Sequence, residues 1–341
     1  MQRCLQLAAI GQPWVAPNPM VGAVIVNNGI IIGEGYHAKF GEPHAEVNAI
    51  NSVIDKSQIK GATIYVSLEP CAHFGKTPPC TNLIIEHQLA KVVIACLDPN
   101  PLVAGKGVMQ LKNAGIEVEI GVLETEAKQL NKRFFYYHQY KLPYVTLKWA
   151  QTADGYCGRM AGSKQSRNIS NWFSNILVHQ LRSAESAILV GYNTALFDNP
   201  SLTTRKWFGN NPTRIVIDME GQLPSSLNLY QDHHQTIVFT LHPSQNTAQV
   251  TYIKLSSKQG VIQEILKKLY ELKLQSLLVE GGPKTLQMFI DSGLWNEAHI
   301  ITSNQKWGEG IKAPLLTKGK EVYCQTVLND YYQVINPEIS L

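Results

Sequence analysis

The sequence predicts two consecutive α/β domains, and three observations carry that expectation. The chain has 341 residues, and at roughly 100–200 residues per domain two domains are the natural division. Short apolar segments alternate with amphipathic ones in both halves, the rhythm of strands and helices laid in layers. A charged, aromatic helical stretch at 124–140 ends just before Pro143, and a second alternation starts immediately after it. The expected domains are therefore 1–143 and 144–341.

The elements follow in order. The opening MQRCLQLAAIGQPWV reads as an amphipathic first helix, with Leu5, Ala8 and Ala9 on one side. Strands at 21–26 and 30–35 flank Asn27-Asn28-Gly29, an Asn-Gly hairpin signal. A helix at 44–54 and a strand at 63–67 come next, then a long loop to Cys80. A helix at 81–88, a buried strand at 92–95, a helix at 105–114 and a short strand at 116–120 complete the first alternation. In the second half, strands are expected at 144–150, 186–190, 214–217, 236–240 and 276–280. Helices are expected at 171–183, 260–272 and 284–292, with strand-like patches near 297–302 and 331–335.

Composition narrows the function classes. Hydrophobic residues make up 44% and charged residues 16%, which suits a globular core and argues against disorder. The formal net charge is +4 with no clustered Lys/Arg run, so a nucleic-acid partner is not expected. A small positive excess suits a phosphorylated small molecule as well as it suits a polynucleotide. No apolar run approaches the roughly 18 residues of a membrane span, and the start lacks a signal-peptide cleavage pattern. The cysteines, Cys4, Cys71, Cys80, Cys96, Cys157 and Cys324, are too scattered for a disulfide framework, and a cytoplasmic location is the default. A homo-oligomer is compatible with these features, which do not specify one.

The first chemical cluster is His44-Ala45-Glu46, and the second is Glu69-Pro70-Cys71 with Cys80 closing the loop. One imidazole and two thiolates are a three-ligand set that zinc prefers, and a catalytic zinc site keeps its fourth position for water. Bound zinc lowers the pKa of that water to about 7. Glu46, two residues beyond His44 at a helix start, can serve the water as a proton carrier without ligating the metal. Cys80 at a helix N-terminus would have its thiolate favoured by the dipole. Alone, an H-x-E or a cytosolic Cys pair is more often a chance match or small core residues. Together, each element following a strand and preceding a helix, they point to a zinc centre. The pattern resembles the zinc-deaminase signature H-x-E…P-C-x-x-C. Here eight residues separate Cys71 from Cys80. His73 and Lys76 lie on that excursion and could meet a polar or phosphorylated substrate.

In the second half, the strand ending at Glu280 runs into Gly281-Gly282-Pro283 and then a helix. Paired glycines at such a turn let the backbone approach a phosphate at the helix N-terminus, and Pro283 suits the first helical turn. A tight turn with no ligand is the plain alternative. No G-x-G-x-x-G opens a βαβ unit, which disfavours a Rossmann dinucleotide site.

The run His44-Ala45-Glu46-Val47, then Leu68-Glu69-Pro70-Cys71-Ala72-His73-Phe74-Gly75-Lys76-Thr77-Pro78-Pro79-Cys80, resembles the bifunctional riboflavin-biosynthesis deaminase/reductase family. Pro17-Asn18-Pro19, Asp98-Pro99-Asn100-Pro101 and Asp198-Asn199-Pro200-Ser201-Leu202-Thr203 fit the same family, and the resemblance spans nearly the whole chain. It implies a cytidine-deaminase-like α/β/α layered domain followed by a dihydrofolate-reductase-like α/β domain. It further implies zinc-dependent hydrolytic deamination of 2,5-diamino-6-(5-phospho-ribosylamino)pyrimidin-4-one, then reduction of the ribosyl group to ribityl with NADPH. Matched to the family, His44, Cys71 and Cys80 bind zinc and Glu46 carries the proton. Asn18, His73, Lys76 and Asn100 contact the deaminase substrate. Ala150, Asn168 (where the family commonly has an aromatic), Thr194, Asp198, Gly282, Pro283, Lys284, Thr285, Leu286, Gln287 and Met288 line the NADPH site. Ser166, Arg182, Leu202, Arg205 and Glu280 match substrate positions, and Lys148 could contact the sugar. Arg182 and Arg205 suit a phosphate, which a guanidinium engages bidentately. Two alternatives remain at this stage: a deaminase whose second domain no longer reduces, and a zinc-stabilised nucleic-acid-binding module.

Overall fold

The computed structural model describes residues 1–72, 78–100, 103–160 and 168–338. It divides into two units, Met1–Lys141 and Leu142–Leu341, and both have the α/β class expected from the sequence. Among the described residues, no helix is long and apolar enough to cross a membrane.

In the first unit, α1 (Gln2–Ile10) precedes a hairpin of β1 (Gly22–Asn27) and β2 (Ile30–Tyr36). The hairpin turn places Asn28 and Gly29 at positive φ, 50° and 77°, the conformation an Asn-Gly turn supplies. Then come α2 (Ala45–Ser52), β3 (Thr63–Val66), α3 (Cys80–Glu86), β4 (Lys91–Ile94), α4 (Lys106–Asn113), β5 (Glu117–Ile120), α5 (Glu124–Leu130) and α6 (Lys132–Tyr140). The sheet order is β2-β1-β3-β4-β5, antiparallel up to β3 and parallel beyond it. Alternate strand residues feed two cores. Ala23, Ile25, Ile64, Val66, Val92 and Ile94 pack with Ala49, Ile50, Ile84 and Leu111 of α2, α3 and α4. On the other face, Val24 meets Cys4 and Leu7 of α1, while Ala95 and Cys96 meet Ala127 and Phe134. The result is an α/β/α sandwich.

Two local expectations are corrected here. The buried face of α1 is Cys4, Leu7 and Ala8, and Ala9 is exposed; a 3.6-residue period counted from Cys4 selects that set. The stretch 124–140 is two helices, because Asn131 leaves helical geometry (φ −101°, ψ 24°). Its side chain instead accepts from Met20 N and donates to Met20 O, both at 2.8 Å.

The second unit begins with β6 (Tyr144–Gln151), β7 (Tyr156–Gly158), α7 (Trp172–Ala184), β8 (Ala187–Gly191), α8 (Tyr192–Asp198), β9 (Thr213–Ile217), α9 (Asn228–Gln231), β10 (Thr236–Thr240) and β11 (Val250–Lys254). It continues with α10 (Val261–Glu271), β12 (Ser276–Val279), α11 (Pro283–Ser292), β13 (Glu297–Ser303), β14 (Ile311–Lys312), β15 (Lys320–Val327) and β16 (Asp330–Asn336). The main sheet runs β11-β10-β9-β8-β12-β6-β13-β16-β15, parallel from β11 to β13, with β16 and β15 added antiparallel. Val145, Leu147, Leu189, Leu277 and Val279 point towards α10 and α11. Ile188, Val190, Val216, Val238 and Leu278 form the core of the other face, against which Leu181 of α7 packs. The late strand β12 inserts between β6 and β8. The carboxyl ends of three parallel strands therefore meet at one sheet edge, where open α/β sheets bind ligands.

The elements β7, α8, α9, β11, β14 and β15 were not expected. Most are short, and β15 is an exposed edge whose burial never alternates cleanly. Cys4 and Cys96 are buried, Cys157 is half-buried and Cys324 is exposed on β15.

Candidate active sites

The first site is built by two strand-to-helix junctions, β2 to α2 and β3 to α3. His44 is the N-cap of α2, and Glu46 lies in its first turn. Cys71 follows β3, and Cys80 is the first residue of α3. His44 Nδ1 lies 3.6 Å from Cys71 Sγ and 3.4 Å from Cys80 Sγ, and Cys80 N donates to Cys71 Sγ at 3.3 Å. The three ligand atoms all lie within 4.8 Å of one another. Zinc bonds of about 2.0–2.1 Å to nitrogen and 2.3 Å to sulfur in a tetrahedron separate those atoms by about 3.6 Å. The donor set and its spacing therefore fit zinc.

The electrostatics agree. A hydrogen bond from Cys80 holds the Cys71 thiol far below its ordinary value, and the same bond pushes Cys80 up. His44 is raised, first by its contact with Cys71. Glu46 is 3% exposed; burial, and after it the Cys71 charge, push its carboxyl up to about 7. Its carboxylate also contacts Cys80 by hydrogen bond, which puts it against a ligand without being one.

Of the expected substrate contacts, Asn18 is near this centre. Its Nδ2 lies 3.1 Å from His37 Nε2, and the His37 ring meets the His44 ring edge-on at 5.5 Å. His37 Nδ1 lies 3.1 Å from Pro43 O. That carbonyl only accepts, so Nδ1 carries the proton and Nε2 accepts from Asn18. Burial lowers the His37 pKa, consistent with a neutral ring. Sequence reasoning missed His37, and no motif marks it. Asn100 N donates to Asp98 Oδ1 at 2.7 Å in the loop before α4. His73 and Lys76 lie outside the described residues.

The second site gathers at the carboxyl ends of β6, β12 and β8. Glu280 follows β12 and receives Arg182 of α7 through Nε at 2.7 Å and Nη2 at 2.8 Å. Lys148 of β6 lies 3.7 Å from the same carboxylate. All three side chains are at most 14% exposed. Burial opposes the charge on Glu280, yet Arg182 and then Lys148 hold its carboxyl down to about 2. Burial lowers Lys148, with Glu280 resisting. Arg182 Nη1 also donates to Thr203 O at 3.1 Å. Its fork thus faces a carboxylate, and the exposed guanidinium of the pair is Arg205, whose Nη1 donates to Thr203 Oγ1 at 2.8 Å. Leu202 beside them is buried. His179, absent from the sequence reading, accepts the Arg205 N–H on Nδ1 at 3.0 Å. Burial and the Arg182 and Arg205 charges hold it down to about 4.

The cofactor candidates divide. Gly282 is the N-cap of α11, with Pro283 in its first turn. A Cβ on Gly282 would lie 2.9 Å from Thr194 Oγ1 and near nothing else described. The first turn of an α-helix has N–H groups without helical partners, so the start of α11 fits a phosphate-bearing cofactor. Lys284 is exposed there, and Thr285 is buried. Further along, Leu286 belongs to the apolar core, and the Gln287 amide is engaged with Asp291 and the Leu315 backbone. Met288 is 43% exposed. Ala150 sits on β6, and Asp198 ends α8, exposed. The Asn168 carbonyl accepts from Gln305 at 3.4 Å. Ser166 lies outside the described residues.

Comparison with known proteins places both units in known families. Residues 1–96 match the family of the cytidine and deoxycytidylate deaminase zinc-binding region, and residues 143–325 match the RibD C-terminal domain. The chain is 44% identical over 316 residues to riboflavin biosynthesis protein RibD of Aquifex aeolicus, covering 91% of this chain and 88% of that protein. It is 40% identical over 362 residues to RibD of Actinobacillus pleuropneumoniae, covering 99% and 95%. Among solved structures it resembles a diaminohydroxyphosphoribosylaminopyrimidine deaminase/5-amino-6-(5-phosphoribosylamino)uracil reductase from Thermotoga maritima, at TM-score 0.89 and 39% identity over 99% of this chain and 97% of that one. RibD of Acinetobacter baumannii superposes at TM-score 0.91 with 32% identity, over 99% and 98%. A zinc-binding deaminase domain and a reductase domain together imply zinc and a nicotinamide cofactor. The chain belongs to the riboflavin biosynthesis protein RibD family, enzymes that join a deaminase to a reductase.

Proposed function

We propose that residues 1–143 deaminate 2,5-diamino-6-(5-phospho-ribosylamino)pyrimidin-4-one and that residues 144–341 then reduce its ribosyl group to ribityl with NADPH. The observation that carries the first half is the meeting of His44 Nδ1, Cys71 Sγ and Cys80 Sγ within 4.8 Å, with the buried Glu46 carboxylate beside them. Bound zinc supplies Lewis acidity and an activated water. Glu46 takes one proton from the attacking water and passes it to the ring nitrogen, then takes the remaining hydroxyl proton and passes it to the amine, which leaves as ammonia. His44, Cys71 and Cys80 hold the metal, and Asn18, His73, Lys76 and Asn100 orient the pyrimidine.

For the second half, NADPH supplies the hydride. The first turn of α11, from Gly282 through Pro283, Lys284 and Thr285, receives a cofactor phosphate, helped by Thr194. Ala150, Asn168 and Asp198 complete that wall, and Leu286, Gln287 and Met288 support it from behind. Glu280 and Lys148 place buried charge at the sugar, Arg182 orients Glu280, and Arg205 with Ser166 and Leu202 receives the substrate. Six scattered thiols support a reducing, cytoplasmic setting. A homo-oligomer is proposed as compatible with both sites.

The test is incubation of purified protein with the diaminopyrimidine phosphate, following ammonia and NADPH oxidation separately. Both should appear, with about one zinc per chain by elemental analysis. Ammonia without NADPH oxidation would leave a deaminase alone, and neither would end the proposal. For the cofactor cradle, Gly282→Ala should raise the KM for NADPH about tenfold, near 1.4 kcal/mol, by filling the space in front of Thr194. Ammonia release should be unchanged, and an unaltered KM would remove Gly282 from the cofactor site.

A further inference from the structure

One buried carboxylate in the first unit has no part in the reading above. Glu69 lies two residues before Cys71 and is 4% exposed. Its Oε1 accepts from Gly107 N at 3.0 Å and Val108 N at 3.3 Å. Its Oε2 accepts from Gly105 N at 3.0 Å and Asp98 N at 3.3 Å. Gly105, Gly107 and Val108 form the entrance to α4, where N–H groups lack helical partners and the dipole favours negative charge. Asp98 opens the segment that carries Asn100. One side chain therefore joins the Cys71 turn to the loop bearing a substrate-contact candidate.

The same helix reaches Cys71 by a second route. Thr81 N donates to Cys71 O at 3.2 Å, and Thr81 Oγ1 lies 2.9 Å from Gln110 Oε1 of α4. The packing leaves no slack, since a Cβ on Gly107 would lie 2.3 Å from Pro70 O.

We propose that Glu69 is a positioning residue for deamination: by anchoring both segments to the start of α4, it sets the metal ligand Cys71 and the Asn100 loop relative to each other. The inference rests on the deaminase reading. It needs the full carboxylate, because four backbone donors converge on two oxygens and charge-assisted bonds hold them. Glutamine keeps the size but turns an NH2 against two of those donors.

The experiment uses the full chain. The parent is measured first for zinc content and ammonia release; failure of both would end the deaminase reading itself. In Glu69→Gln, competition with a chromophoric chelator should show zinc held about tenfold more weakly, the lower end for outer partners of metal ligands. The KM for the diaminopyrimidine phosphate should rise by a similar factor. NADPH oxidation with the deaminated intermediate should match the parent. Glu69→Asp should recover part of both losses, and Gly107→Ala, whose Cβ would press on Pro70 O and on the Glu69 side chain, should reproduce the weaker zinc. Zinc affinity and KM within about twofold of the parent would overturn the proposal at that scale of effect. So would a change in one without the other, and so would a first domain that no longer folds, which would make Glu69 a determinant of the fold alone.

Discussion

Replacing Glu46 by glutamine is expected to end ammonia release while zinc stays bound. The carboxylate sits in the first turn of α2, 3% exposed, against Cys80 and two residues from His44. None of the three ligand atoms belongs to it, so its amide should leave the imidazole and both sulfurs in place. A glutamine cannot take up and return a proton at that position. General acid–base catalysis contributes typically 10²–10⁴-fold, and here one group serves both the attacking water and the leaving amine, so a loss near the upper end of that range is expected. The measurement is ammonia release per zinc-loaded chain, with elemental analysis beside it. NADPH oxidation on supplied deaminated intermediate should be unaffected. Near-normal ammonia release would remove Glu46 from the proton path. Loss of zinc together with activity would make it a determinant of the metal site.

The second large effect is expected from Glu280→Gln. The parent buries one carboxylate between Arg182 and Lys148, at 2.7 Å and 3.7 Å. Removing only the anion leaves two buried cations facing each other. Breaking a buried pair in this way costs about 3–5 kcal/mol, so the unfolding transition of the second unit should move sharply down in temperature. Reduction should be lost with it, because the same carboxylate lies at the carboxyl ends of the parallel strands. The parent should also carry an acid-sensitive share of stability. Glu280 is held down to about 2 from an ordinary 4.5, so its charged form is favoured by folding. That stabilisation is complete above about pH 4.5 and is lost as pH falls towards about 2. Calorimetry of parent and variant across that window should show the difference between them shrinking in acid. A pH-independent difference, or a variant as stable as the parent, would refute the account.

Much of this was readable from local sequence. The ligands His44, Cys71 and Cys80 each stand where a strand gives way to a helix, and that placement depends on segments of a few residues. The Asn28-Gly29 turn and Pro283 at the start of α11 are of the same kind, set by backbone preferences of adjacent residues. Other features depend on partners far along the chain. The break between α5 and α6 exists because Asn131 bonds to Met20, 111 residues away. No periodicity signals such a contact. The edge strand β15 escaped because its exposed residues carry no alternating apolar face.

Residue order alone settles which residue types are available for chemistry, where helices can begin, and that two α/β domains follow one another. Which of those residues meet depends on the packing. That packing brings Glu280 to Arg182 across 98 positions by inserting β12 between β6 and β8, and it gives Glu69 its four amide partners. The physical reason is range: a hydrogen bond or a buried ion pair acts over a few ångströms, so it exists only after the packing of distant apolar segments has brought its two ends together.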